Sequence, residues 1–237
     1  MASKFGLFLP KICQKMNPEL RVNVQQNLNK VRTQISNSCL QCSRNPAEIT
    51  LIAVSKTFTV DHILAAYEIG HRDFGESRVQ EALPKIEALP KDIVWHYIGK
   101  LQSNKLKKAW ENFNIFHTMY SPSQLTELMK VQAVKDVLIE VNIAEEVQKS
   151  GIFLDPLDEF IQSIVLCNTV RLRGLMTIGP NLENAEAMRP YFRKLRELGK
   201  KIGDDCWLSM GMSGDFSVAI EEGATHIRVG SAIFGSR

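Results

Sequence analysis

From Ile49 onward, short β-branched and aliphatic runs alternate with stretches whose apolar positions recur at helical spacing. That is the pattern of repeated strand and helix units around a parallel sheet. Before Ile49 the pattern is helical only. Leu20, Val24, Leu28, Val31 and Ile35 recur every three or four residues within Glu19–Gln41, which predicts one long helix packed against the later units.

The first predicted strand, Ile49–Ser55, is almost continuously apolar, as a strand covered on both faces must be. Further strands are predicted at Arg72–Gly75, Ile93–Ile98, Ile115–Thr118, Val137–Ile143, Leu172–Ile178, Cys206–Met210 and His226–Val229. The intervening helices are expected over Asp61–Ile69, Glu76–Leu89, Asn104–Glu111, Pro156–Cys167, Ala185–Lys201 and Phe216–Glu222, with another opened by Ser121 as cap and Pro122 in its first turn. Gly70 should stop the first of these in a left-handed cap, and Pro84 threatens the continuity of the second. Eight strands close a barrel. An open doubly wound sheet is the alternative, but the G-x-G-x-x-G turn that a dinucleotide-binding sheet carries after its first strand is missing.

The length, 237 residues with 44% apolar, suits one α/β barrel with a full core and leaves no room for a second large domain. We therefore expect a disordered segment over residues 1–18 and a barrel domain over 19–237. A net charge of +3, dispersed along the chain, gives no footprint for nucleic acid or a membrane surface. Five scattered cysteines fit reduced thiols in the cytoplasm, and Cys39 with Cys42 form a lone C-x-x-C without further ligands at zinc spacing. No apolar run is long enough to span a membrane. Met1–Met16 is basic and free of acids, but holds no arginine, which weakens a mitochondrial targeting reading against a frayed terminus.

In such a barrel the working groups lie where strands end and loops begin. Lys56 follows the first strand directly, and a lysine at that mouth is partly desolvated, which favours the neutral amine needed to form an imine. A solvated ammonium at a strand end is the plain alternative. The loops after the seventh and eighth strands, Gly211–Asp215 and Gly230–Ala232, are glycine- and serine-rich and stand where barrels bind phosphate. Ser213 there offers a hydroxyl. Arg228 lies inside the eighth strand on the opposite face from Val229, and an outward ion pair with a helix acid is its alternative. His96 alternates with Trp95 and Tyr97 and reads as a hydrogen-bonded strand histidine rather than a catalyst, while Lys105, Lys107 and Lys108 read as a solvated helix face.

Seven motifs now tie the chain to a family: AVSK at Ala53–Lys56, FGES at Phe74–Ser77, WHYIGKLQSNK at Trp95–Lys105, KSG at Lys149–Gly151, RGLM at Arg173–Met176, GMSGD at Gly211–Asp215 and RVGSAIFG at Arg228–Gly235. In these the sequence resembles the pyridoxal phosphate homeostasis proteins, single-domain relatives of the alanine racemase barrel. The resemblance implies a (β/α)8 TIM barrel of the alanine racemase N-terminal-domain type, with pyridoxal 5'-phosphate held as an imine on Lys56. It further implies that Ser213, Gly230 and Ser231 hold the phosphate and that Arg228 lies near the pyridine nitrogen. Asn142 and Met176, at the ends of the fifth and sixth strands, rank behind these as pocket residues. Two positions depart from the family pattern: Ser77 where asparagine is usual, and Ser231 where threonine is common.

The function implied is storage or delivery of the cofactor in vitamin B6 homeostasis, without enzymatic turnover, by a monomer whose partners are the cofactor and apo-enzymes that need it. The alternatives are a pyridoxal-phosphate-dependent amino-acid racemase and a Schiff-base aldolase acting on a phosphorylated sugar. Alanine racemases take a catalytic tyrosine from a second domain of the partner subunit, and no such domain is expected here.

Overall fold

The computed structural model describes residues 17–236. The expectation of disorder over 1–18 lies outside the described residues for its first sixteen positions. Its last two, Asn17 and Pro18, stand at the start of the first helix. Asn17 caps helix α1 (Pro18–Gln41) by accepting from Glu19 N–H, and Pro18 takes the first turn, where its missing N–H is not needed.

Eight parallel strands follow, β1 (Thr50–Val54), β2 (Asp73–Glu76), β3 (Val94–Tyr97), β4 (Ile115–Met119), β5 (Lys135–Glu140), β6 (Val170–Met176), β7 (Trp207–Ser209) and β8 (His226–Val229). They pair in chain order, and β8 returns to β1, so the sheet is a closed barrel with no free edge. The helices between them are α2 (Val60–Glu68), α3 (Val79–Ala88), α4 (Ser103–Asn112), α5 (Pro122–Leu128), α6 (Leu157–Val165), α7 (Arg189–Gly199) and α8 (Phe216–Glu221), with the short α9 (Ser231–Phe234) after β8.

Most predicted elements appear within a few residues of their expected ends. Gly70 takes φ +83°, the left-handed cap expected of it. Helix α3 runs through Pro84 but begins three residues late, at Val79. The expected helix over Ala185–Lys201 is split, with a 3-10 turn at Ala185–Met188 before α7, whose first turn holds Pro190. Strand β5 stops at Glu140 rather than Ile143.

Strand alternation sorts the side chains. Outward, Tyr97 and Phe116 meet Phe113 and Trp110, with Trp110 stacked on Phe116 at 4.6 Å. Inward, the middle of the barrel carries buried His96, His117, Ser209 and His226, where Val, Ile and Leu usually fill a barrel interior. Helix α1 buries Val24, Leu28, Val31, Ile35 and Cys39, the stripe its spacing predicts. It crosses the closure of the barrel, where Asn27 donates to Ile233 O and Arg21 pairs with Glu68 of α2. No helix among the described residues is long and apolar enough to cross a membrane.

Candidate functional site

At the C-terminal mouth of the barrel, Lys56, Ser213, Arg228, Gly230 and Ser231 line one cavity of about 360 Å³ together with Val54, Phe58, Ile98, Ile178 and Met212. These residues come from the ends of β1, β3, β6, β7 and β8, so only barrel closure brings them together.

Lys56 is half-buried and sits in a tight turn closed by Phe58 N–H donating to Ser55 O. The next residue, Thr57, has φ +69°, a left-handed conformation that a β-branched side chain rarely adopts. Strain of this kind persists where the surroundings over-determine the backbone. The surroundings here are an ion pair: Lys85 of α3 reaches Glu76 at 2.8 Å, and both hold Ser55, Lys85 through its carbonyl at 2.9 Å and Glu76 through its hydroxyl at 2.7 Å. Glu76 and Lys85 therefore fix the end of β1 immediately before Lys56.

The two serine-bearing loops converge. Ser213 Oγ lies 3.4 Å from Ala232 N, so the loop after β7 touches the first turn of α9. Gly211 packs against α8, where a side chain would not fit. Its φ is +90°, and a Cβ there would lie 2.6 Å from that of Ala219 in α8. Asp215 closes the loop by accepting from Met212 N–H at 2.6 Å, and Gly211 O accepts from Arg228 N–H. Burial raises the Asp215 carboxyl above its ordinary range, against the Met212 hydrogen bond and the Arg228 charge.

Arg228 points inward and is buried. One nitrogen, Nη1, donates to Ser209 Oγ at 2.7 Å, and Nη2 donates to Thr177 O at 2.7 Å. Among the described residues it makes no outward ion pair with a helix acid. Burial lowers its pKa to about 10, against the charges of Asp215 and Glu140, so it stays cationic at neutral pH. Across the barrel, Glu140 is buried with Oε1 accepting from Ser150 at 2.6 Å, and Oε2 has no hydrogen-bond partner among the described residues. Burial raises its carboxyl as well.

Asn142 and Met176 do not line the cavity. Asn142 lies beyond β5 and folds back on its own loop, its Nδ2 donating to Glu146 O and its Oδ1 accepting from Glu146 N–H. Met176 is fully buried at the end of β6. Ser77 is half-buried, and its backbone is met closely by Gly99, where a Cβ would lie 2.0 Å from Ser77 O. His96 is hydrogen-bonded within the barrel, as the sequence suggested. Sequence reasoning missed His117, Ser209, Glu76 and Lys85. Parity within β4 and β7 turns His117 and Ser209 inward, but nothing local to either strand says what they meet.

Residues 23–237 match the family model for the alanine racemase N-terminal domain. The pyridoxal phosphate homeostasis protein of Aquifex aeolicus (strain VF5) is 41% identical over 226 residues, covering 91% of this chain and 99% of its own. That of Escherichia coli (strain K12) is 39% identical over 230 residues, covering 91% and 97%. Among solved structures, PipY of Synechococcus elongatus PCC7942 with PLP bound superposes with a TM-score of 0.74 at 33% identity, covering 90% of this chain and 100% of PipY.

Proposed function

The chain belongs to the pyridoxal phosphate homeostasis proteins, within the alanine racemase N-terminal-domain family, and on that premise we propose that it binds pyridoxal 5'-phosphate on Lys56 for intracellular vitamin B6 homeostasis. The observation that carries this reading is the convergence of Lys56, Ser213, Arg228, Gly230 and Ser231 on one cavity. Pyridoxal phosphate supplies an aldehyde for imine formation and an aromatic ring that can withdraw electrons.

Lys56 would hold the cofactor through its amine, which can condense with the aldehyde carbon with loss of one water. Ser213 and Ser231 offer hydroxyls to the phosphate, and the backbone at Gly230 and Ser231 can approach it without a side chain at Gly230. Ile98, Ile178 and Met212 supply apolar walls for a planar ring. Arg228 has donors and no acceptor, so with the ring nitrogen beside it, it would donate to that nitrogen and leave it unprotonated. A ring held this way is a weak electron sink, which suits storage and delivery better than carbanion chemistry.

The cavity wall supports the same reading. Among the described lining residues, ionisable side chains come from Lys56 and Arg228. Racemisation needs a second acid or base facing Lys56 across the substrate, and Arg228 cannot serve as a base. We therefore assign the protein a carrier role, with apo-enzymes that require the cofactor as its recipients.

The test is the visible spectrum of the purified protein after incubation with pyridoxal phosphate, wild type beside Lys56→Ala, followed by borohydride reduction and peptide mapping. A yellow band in the wild type alone, with the pyridoxyl group fixed on Lys56, supports the proposal, as does transfer to an apo-enzyme. A colourless wild type overturns the cofactor reading. Racemisation of an amino acid at about 1 per second or faster overturns the carrier reading.

A further inference from the structure

A continuous hydrogen-bonded chain crosses the barrel from one end to the other. It starts at Asp73, the first residue of β2, whose side chain is about one-third exposed and lines a second cavity at the N-terminal end with Arg32, Ser36 and His71. Asp73 Oδ1 lies 3.0 Å from His96 Nε2, and His96 Nδ1 lies 3.0 Å from His117 Nε2. His117 Nδ1 lies 2.9 Å from Ser209 Oγ, and Ser209 Oγ lies 2.7 Å from Arg228 Nη1. Arg228 lines the cavity at the opposite mouth.

Donor and acceptor chemistry fixes the direction of every proton in this chain. Arg228 only donates, so Ser209 Oγ accepts from it and has its own proton free to turn to His117 Nδ1. A neutral His117 must then carry its proton on Nε2 and donate to His96 Nδ1. His96 in turn carries its proton on Nε2 and donates to Asp73, which as a carboxylate only accepts. All five groups are satisfied in one orientation. We infer that Asp73, His96, His117 and Ser209 are positioning residues that set the orientation and hydrogen-bond strength of Arg228, and that protonation at the Asp73 end is felt at Arg228.

Burial supports the fixed order. His117 is fully buried, and its pKa is held well below the ordinary histidine value by burial first and then by the charges of His96, His226 and Arg228. Asp73 is held below the ordinary carboxylate value: burial would raise it, but the His96 hydrogen bond and the nearby histidines outweigh burial. The charged and titratable groups facing the chain are His71, with Arg32 behind it, and His226 near Asp73 and His96. Glu140 and Asp215 face Arg228. If the terminal carboxylate is neutralised, His96 loses the acceptor that dictates its tautomer. That change weakens the polarisation that Ser209 transmits to Arg228.

The consequence for the cofactor rests on the proposed binding of pyridoxal phosphate, but the order itself is readable without it. Nitrogen NMR of the histidine side chains in the apoprotein should place the proton on Nε2 of both His96 and His117 at neutral pH. Asp73→Asn, a near-isosteric change at a partly exposed site, should mix the two tautomers and shift the Arg228 side-chain N–H resonances. Ser209→Ala should break the link, so that adding Asp73→Asn no longer moves Arg228. A proton on Nδ1 of His117 in the wild type overturns the inference, and so does an Arg228 signal indifferent to Asp73→Asn. In loaded protein, Asp73→Asn should shift the visible band of the Lys56 adduct, and an unmoved band overturns the coupling to the cofactor. A wild type that takes up no cofactor defeats the binding proposal instead, and the apoprotein spectra then decide the relay alone.

Discussion

Lys85 Nζ lies 2.8 Å from Glu76 Oε1, in a carboxylate with no exposure to solvent, directly beside the strand end that carries Lys56. A buried pair of this kind is weak evidence for net stabilisation, but removing one partner leaves an uncompensated charge. Lys85→Met should therefore destabilise the fold by about 3–5 kcal/mol. Adding Glu76→Gln should restore much of that loss, because the orphaned charge is gone. Urea unfolding of both single variants and the double variant reads the coupling, and additive losses would show that the pair does not act as a unit.

On the proposed reading, Ser213 and Ser231 hold the phosphate. Replacing either by alanine removes one hydrogen bond to a charged group, about 1.5–3 kcal/mol, or roughly tenfold to a hundredfold in affinity. Equilibrium dialysis of pyridoxal phosphate against each variant measures this, and phosphate-free pyridoxal should bind both variants and wild type alike.

Acid should destabilise the protein as the histidines of the unfolded chain gain protons. Burial is the largest cause holding His71 at about 4, His226 at about 3 and His117 well below its ordinary value. A histidine whose folded pKa is depressed contributes stability that is fully present above its unfolded value, about 6.5, and is lost as pH falls below it. Each should lower the unfolding free energy by about 1.4 kcal/mol per pH unit in that range, so together about 4. Chemical denaturation between pH 7.5 and 5 measures the slope; a flat profile would mean that these rings are charged in the folded state.

Thr57, with its φ of +69°, stores strain beside Lys56. Thr57→Gly should relieve about 1–3 kcal/mol of it against a loss of about 0.5–1 to unfolded-chain entropy, leaving a net gain near 1 kcal/mol. Thermal unfolding should rise by about 2–4 °C. If the Tm falls instead, the turn is held by the threonine side chain and not in spite of it.

The sequence by itself determined the order and number of the strands, the apolar stripe of α1 and the parity of Arg228. These follow from periods of two and 3.6 residues, which are properties of the local chain. It also marked Lys56, Ser213, Gly230 and Ser231, because barrel chemistry is confined to strand ends. What only the tertiary structure decided is which inward side chains meet. His96 finds His117 from the neighbouring strand, and His117 finds Ser209 ninety-two residues later. Those meetings depend on stagger and on register shifts between β4 and β5 and between β5 and β6, which no alternation pattern records. The same limit explains Asn142: position put it at a strand end, but β5 stops two residues earlier, and the side chain is taken by its own loop.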